Sequence, residues 1–450
     1  MDFNQIHKIF FLGIGGIGMS ALARYFKYQG KEIFGYDLTS TPLTDELVAE
    51  GMSIQFDEDI PSVPSGIDLV IYTPAIPIDN KLFIHYQNSQ TPLLKRSKIL
   101  GLLSEEMFTI AIAGTHGKTS ISALTAHLLK SAELPITALI GGVCKNYNSN
   151  VILSKKSKYM ILEADEFDRS FLTLNPDIAV ISSVDADHLD IYENKNSLVD
   201  SFIKFTKLIK PKGLFICHTK LKNILPESSQ TTYYGIDAQA DVVARNVRVE
   251  EGTFIFDFKA PELTVKDVKM AVPGMHYVEN ATAAMAIGYE IGLNAEQLKK
   301  GIESFKGVSR RFEVKHTTNP VFIDDYAHHP EEINATIEAI RMLYPGLKIT
   351  GIFQPHLYSR TRDFEDEFAA SLSKLDDIIL LDIYPAREKP IHGITSSVIL
   401  DKIEHSQKRI LGKAEALRYV ETIKTGVLLT IGAGDIGFFA DKIEQIVKRS

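Results

Sequence analysis

The chain has no tryptophan and only two cysteines, Cys144 and Cys217, 73 positions apart and outside any CxxC or Cys/His cluster. That excludes a disulfide framework or a structural zinc site and fits a reducing compartment. No stretch of 18 or more apolar residues occurs, and the opening MDFNQIHKIFFLGIGG lacks a basic n-region and a small-residue cleavage site. A spanning helix or secretory leader is therefore not expected. Positive charge is not in excess either: Lys+Arg 49 against Asp+Glu 57 leaves a net charge of −8, which argues against a nucleic-acid partner or a basic membrane-surface protein. Fixed-period repeats and low-complexity tracts are absent, so neither a solenoid nor a disordered tail is indicated. These absences together predict a soluble cytoplasmic protein without membrane insertion; they leave monomer and homodimer both open.

What the chain does have is 450 residues, 45% of them hydrophobic, enough for two to four domains. Short apolar strands alternate with amphipathic helices. HKIFFLG reads as a strand, GIGGIG as a turn, IGMSALARYFKYQG as a helix closed by Gly30 and KEIFGYD as the next strand, a βαβ unit that favours a parallel sheet. The alternation restarts at FTIAIAG and again after SRRFEVKH. The spacing thus predicts three α/β domains, at 1–106, 107–315 and 316–450.

Gly13, Gly15 and Gly18 form a GxGxxG between strand and helix, and Asp37 ends the next strand 19 positions after Gly18. That spacing suits a nucleotide diphosphate at a helix N-terminus, with the carboxylate accepting from ribose hydroxyls; the alternative is a set of glycines serving a tight turn. A second GxGxxG, Gly432, Gly434 and Gly437, lies too near Ser450 for a following acidic residue, and there the turn reading is preferred. An NAD-dependent oxidoreductase would explain the first motif alone.

Ala113 to Ser120 read AGTHGKTS after the strand TIAIAG. Gly114, Thr115, His116, Gly117, Lys118, Thr119 and Ser120 supply what a triphosphate needs: backbone N–H groups, Lys118 toward the β/γ oxygens and the Thr119 hydroxyl for Mg²⁺. The loop departs from GxxxxGK[ST], because position 112 is Ile. Mg²⁺ takes hard oxygen ligands, and the following strand, KYMILEADEFD, delivers Glu163 at its C-terminal end, the alternative being an exposed carboxylate cluster with Asp165, Glu166 and Asp168.

With AGTHGKT, LEADE, DADHLD, PGMHYVENATAA, SRRFE, DDYAHHPEE, FQPHLYSRTRDF and DIYPAREKPI in that order, the sequence resembles the Mur ligases of peptidoglycan synthesis over nearly its whole length, most of all the branch that adds L-alanine to UDP-N-acetylmuramate. The resemblance implies a Rossmann-like N-terminal domain for the UDP-sugar, a central P-loop ATPase-type domain and a C-terminal Rossmann-like domain helping to bind ATP and the amino acid. It reinterprets the first glycine turn as a UDP cradle of Gly13, Gly15, Gly16, Ile17, Gly18, Asp37 and the loop Thr73, Pro74 and Ala75. It makes His188 a second metal ligand beside Thr119 and Glu163, with two Mg²⁺ ions. It puts His276 and Asn280 on adenine, Arg311 and Asp325 on phosphates and ribose, and His328 and Arg360 with Lys118 and His188 at the reacting centre. Taken alone, His329 is as well explained as a hydrogen-bonded loop residue; Arg360 suits bidentate binding of a substrate carboxylate, a surface ion pair with Asp363 or Glu365 being the alternative.

The implied reaction converts the lactyl carboxylate to an acyl phosphate with ATP, which the amine of L-alanine attacks; domain closure is expected to exclude water. The chain departs from the family pattern at Leu357, where an Arg is usual, and at Arg387 in YPARE. A ligase adding a preformed tripeptide, and a non-catalytic ATP-binding module, are the nearer alternatives.

Overall fold

The computed structural model describes residues 1–185, 192, 194–227, 230–237, 239–386 and 388–449. The first sheet is parallel: β1 (Lys8–Leu12), β2 (Glu32–Tyr36), β3 (Ser53–Gln55), β4 (Leu69–Tyr72) and β5 (Leu93–Lys95), in the order β3-β2-β1-β4-β5. The order reverses between β1 and β4, and such a switch point opens a crevice beyond the strands' C-terminal ends. Its helices are α1 (Ile17–Tyr28), α2 (Pro42–Ala49), α3 (Lys81–Gln87) and α4 (Arg96–Glu106). Met19, Leu22, Ala23 and Phe26 make the buried stripe of α1, at the spacing of one helix face.

The second group comprises β6 (Phe108–Ala113), α5 (Lys118–Ser131), β7 (Ile136–Cys144), β8 (Ser149–Ile152), β9 (Tyr159–Glu163), β10 (Ile178–Ile181), α6 (Lys195–Thr206), β11 (Leu214–His218) and β12 (Thr231–Ile236). These strands follow the order β12-β11-β10-β6-β9-β7-β8, parallel except for the β7–β8 hairpin among the pairs whose direction is defined. β6 is central, and Ile110 to Ala113 are fully buried, as expected of a strand covered on both faces.

β13 (Val242–Glu250), β14 (Thr253–Ala260), β15 (Leu263–Met270), α7 (Met275–Ile291) and α8 (Ala295–Glu303) follow. The last sheet, of β16 (Glu313–His316), β17 (Val321–Asp325), β18 (Ile349–Phe353), β19 (Asp377–Leu380), β20 (Lys408–Ile410) and β21 (Val427–Ile431), has the order β16-β17-β21-β18-β19-β20, with only β16 antiparallel. Its helices are α9 (Pro330–Leu343), α10 (Tyr358–Asp363), α11 (Glu365–Leu372), α12 (Ser397–Lys402), α13 (Lys413–Val420) and α14 (Ile436–Val447).

The chain forms two compact units. The first is Met1–Val243 with Phe258–Val265 and Asn280–Ile302; the second is Ala244–Asp257 and Lys266–Glu279 with Glu303–Ser450. In the first, one apolar cluster runs from Phe11, Leu22 and Phe26 through Ile99 and Leu103 to Ala111, Met160, Phe171 and Phe202, so the first two sheets share a core. No helix among the described residues is long and apolar enough to cross a membrane.

Candidate active site

The phosphate loop leaves β6 at Ala113 and enters α5 at Lys118, turning through Gly114 at φ +131° and Gly117 at φ +84°. Those values favour glycine, and space does too. A Cβ at Gly114 would lie 2.1 Å from Ser182 Oγ, and one at Gly117 2.7 Å from Asn280 Oδ1. The residues after β10 brace the loop: Ser183 Oγ accepts from the His116 N–H at 2.9 Å, and Ser182 Oγ donates to the His116 carbonyl at 2.5 Å.

Lys118 Nζ donates to the Gly114 carbonyl at 2.7 Å and to Glu166 at 2.8 Å. Burial alone would pull this ammonium down, but the carboxylates of Glu166, Asp165 and Glu163 outweigh it and hold it above its usual value. Glu166 is fully buried, and burial pushes its carboxyl up to about 7 against the lowering effect of Lys118. For chemistry, the consequence is that Lys118 stays a cation throughout the physiological range. Next to it, Thr119 Oγ1 donates to Glu163 Oε1 at 3.0 Å, and Glu163 Oε2 accepts from the Gly141 N–H at 2.9 Å. A hydroxyl and a carboxylate converging at a helix start are hard oxygen donors of the kind Mg²⁺ takes. Among the described residues there is no group of three or more His, Cys, Asp or Glu able to hold a metal.

The first glycine turn lies at the β1/β4 switch point. Gly13, at φ +85°, donates to the Tyr36 carbonyl at 2.8 Å. Asp37 Oδ2 accepts from the Gly15 N–H at 2.7 Å, and Asp37 Oδ1 from the Leu38 N–H at 2.8 Å. Thr73 continues from β4, and its methyl would lie 2.6 Å from a Cβ at Gly13. Gly16 caps α1, which starts at Ile17, and Pro74 and Ala75 lie in the turn closed by the Ile76 N–H on the Thr73 carbonyl. Arg96, directly after β5, completes the rim: its Nη1 would be 2.1 Å from a Cβ at Gly18.

In the second unit, His276 at the start of α7, Arg311, Asp325 and Glu332 form one electrostatic group. Burial pulls the His276 imidazole down to about 4, leaving it neutral at pH 7, and its Nδ1 has no hydrogen-bond partner among the described residues. The Arg311 guanidinium lies over the Tyr326 ring at 4.8 Å and is 3.8 Å from Glu332. Burial lowers it, but Glu332 and Asp325 outweigh burial and raise it. Asp325, 5% exposed, accepts from the Ala327 N–H, the Phe312 N–H and the Thr336 hydroxyl; burial pushes it up to about 6. His328 Nδ1 is 3.1 Å from the Tyr326 carbonyl and 3.3 Å from Glu332. Two oxygen neighbours favour the Nδ1–H tautomer and make Nε2 the basic nitrogen. The His328 ring lies 6.1 Å from that of His356, whose Nδ1 is 3.4 Å from Arg360 Nη1.

Matches to known proteins decide the family. The sequence is 46% identical over 451 residues to a UDP-N-acetylmuramate--L-alanine ligase of Flavobacterium psychrophilum, covering 99% of both chains. The chain belongs to the Mur ligase family. Three family profiles agree: "Mur ligase family, catalytic domain" at residues 8–107, "Mur ligase middle domain" at 112–288 and "Mur ligase, glutamate ligase domain" at 310–434. A Cytophaga hutchinsonii relative of the same name is 43% identical, covering 100% of this chain and 98% of its own. Among solved structures, the UDP-N-acetylmuramate-alanine ligase MurC of Thermotoga maritima superposes with TM-score 0.82 at 25% identity, covering 98% of both chains. The MurF ligase of Thermotoga maritima in complex with ADP, at 16% identity, shares the fold with TM-score 0.62 over 93% of this chain and 94% of its own.

For this Mur ligase the residues expected from the sequence gather into three groups. Gly13, Gly15 to Gly18, Asp37 and Thr73 to Ala75 gather past the C-terminal ends of β1, β2 and β4. Gly114 to Ser120 and Glu163 gather past the ends of β6 and β9, with Asn280 packed on the loop. His276, Arg311, Asp325, His328 and Arg360 lie in the second unit. His188 lies outside the described residues, as does Arg387. Two alternatives do not hold: Glu166, which an exposed carboxylate cluster would have included, is buried against Lys118, and the ion pair with Asp363 belongs to Arg362, at 2.7 Å, while Arg360 is 6% exposed beside His356. His329 is the N-cap of α9, with Glu332 completing a capping box. Leu357, buried at φ +71°, caps α10.

Sequence reasoning missed Arg96. Its signal was available, because it directly follows a parallel strand, where ligand-binding residues of such sheets concentrate. The second GxGxxG is a turn filled by the protein itself: Arg310 Nη2 donates to the Gly432 carbonyl at 2.6 Å, and Gln354 Oε1 accepts from the Ile436 N–H at 2.9 Å.

Proposed function

We propose that this Mur ligase joins L-alanine to the lactyl carboxylate of UDP-N-acetylmuramate, with ATP converted to ADP and phosphate. The observation that carries the reading is full-length identity of 43–46% to relatives of that name, on a chain whose phosphate loop pairs Lys118 with Glu166 and Thr119 with Glu163. A carboxylate is a poor acylating agent, so the γ-phosphoryl group is transferred to it first. The amine then attacks the acyl phosphate, the C–N bond forms, and the C–O bond to phosphate breaks.

The residues bind and orient. The N–H groups of the loop and of the α5 N-terminus face the phosphates, and Lys118 neutralises charge on the β/γ oxygens. Thr119 and Glu163 would hold Mg²⁺, with His188 assigned to a second ion by resemblance; bound Mg²⁺ supplies charge neutralisation. The α1 N-terminus, Asp37 and Arg96 take the UDP moiety. His276 Nδ1 offers a neutral partner to adenine, with Asn280 at the loop and Arg311 at the phosphates. Asp325, its oxygens engaged by Ala327, Phe312 and Thr336, supports this group and keeps lone pairs for ribose. Arg360 suits a substrate carboxylate, and His328 Nε2 is our choice for the base that takes the proton of the alanine ammonium. We place the reaction in the cytoplasm.

The test is ADP release by purified protein with ATP, Mg²⁺ and UDP-N-acetylmuramate, comparing L-alanine, glycine, L-serine and a tripeptide. Release that requires both the UDP-sugar and L-alanine is expected. Release with the tripeptide alone, or a nicotinamide absorbance change in place of ADP, would overturn the reading.

A further inference from the structure

Asn150 in β8 is fully buried, yet all of its side chain's polar bonds reach the helix that opens the sugar-nucleotide crevice. Its Nδ2 donates to the Ile17 carbonyl at 2.7 Å and to Ser20 Oγ at 3.1 Å, and its Oδ1 accepts from Arg24 Nη1 at 2.8 Å. Ser20 Oγ donates in turn to the Ile17 carbonyl at 2.9 Å. Arg24 is fixed from its other edge, by Glu50 at 2.9 Å and Glu46 at 3.0 Å on and just after α2. The first turn of α1, whose N–H groups face the candidate diphosphate position, is thus held from behind by buried hydrogen bonds of Asn150 anchored in another sheet, which continue through Arg24 to exposed carboxylates. Such a network fixes one geometry, because every alternative leaves a buried polar group unpaired.

The same hairpin also reaches the phosphate side. β7 and β8 pair Leu139 with Val151 and Cys144 with Ser149, with an irregularity in register between them. Within that irregular stretch, the Gly141 N–H donates to Glu163 Oε2, and a Cβ at Gly141 would lie 2.2 Å from the same oxygen. One strand of the hairpin therefore orients the proposed metal-binding carboxylate, while the other orients the proposed UDP cradle.

We infer that Asn150 is a positioning residue for the ligation: through the Ile17 carbonyl it sets the sugar-nucleotide cradle in register with the phosphate loop. The inference rests on the proposed function, and its test separates the two. Asn150→Asp keeps the acceptor for Arg24 but has no N–H for Ile17 or Ser20, and it sets a carboxylate against a carbonyl; Asn150→Leu removes all three bonds. Arg24→Ala leaves the Asn150–Ile17 bond in place and serves as the stability comparator. Wild-type ADP release dependent on UDP-N-acetylmuramate is measured first, and its absence would sink the proposed function, not this inference. Given that activity, Asn150→Asp raises the KM for UDP-N-acetylmuramate about 10-fold with the KM for ATP within about 2-fold, and Arg24→Ala shifts the UDP-sugar KM by less than about 3-fold at a comparable loss of thermal stability. An unchanged UDP-sugar KM in both Asn150 variants, or both KM values moving in parallel with thermal stability across all three, would overturn the positioning role.

Discussion

In the proposed reaction Lys118 neutralises phosphate charge, because it is the cation that the phosphate loop presents beside two oxygen donors. Lys118→Ala should cut turnover by about 10³-fold or more, and far-ultraviolet circular dichroism should show an intact fold. Asp37→Ala tests the other crevice. It removes the acceptor for the Gly15 N–H and should raise the KM for the UDP-sugar about 10-fold while leaving that for ATP within about 2-fold; steady-state kinetics on the pair decides whether the two sites are separate. Lys118, Thr119, Glu163 and Asp37 were legible in the sequence because each sits at a fixed offset from a strand end or a glycine turn. Glu166 and Asn150 were not, since their roles come from partners 48 and 133 positions away in the chain.

Among the elements, the two glycine motifs show why a pattern needs its surroundings. Gly13 to Gly18 meets Asp37 and Arg96 at a switch point, whereas Gly432 to Gly437 is filled by Arg310 and Gln354. Their spacing is identical, and what differs is the set of side chains that the rest of the sheet delivers. Helix α5 carries its own pH signature. His127, 6% exposed and bonded through Nδ1 to the Tyr147 hydroxyl at 2.9 Å, is pulled by burial from 6.5 down to about 4. Its folded value is depressed, so the stability it contributes is complete above pH 6.5 and is lost as pH falls toward 4. The loss amounts to at most about 3 kcal/mol. Urea unfolding at pH 7 and pH 4.5 should show the wild type losing about 2 kcal/mol more than His127→Gln; parallel losses would contradict this.

Across the whole molecule, the three runs of strand and helix alternation were readable from spacing, and three sheets are present. The shared core of the first two was not readable, because it depends on α4 burying Ile99 and Leu103 against residues of a later sheet. The net charge of −8 argues against a polyanion partner, yet every proposed substrate carries negative charge. Binding must then rest on a few placed groups, Lys118, Arg96, Arg311, Arg360 and the starts of α1 and α5, in an otherwise acidic chain. The central claim is that this machinery passes the lactyl carboxylate through an acyl phosphate. The most direct measurement uses UDP-N-acetylmuramate with ¹⁸O in that carboxylate, together with ATP, Mg²⁺ and L-alanine, and reads the mass of the phosphate released. The account predicts one carboxylate-derived oxygen in each phosphate, matched by one amide formed. Unlabelled phosphate, the product of attack by water on ATP, would contradict it.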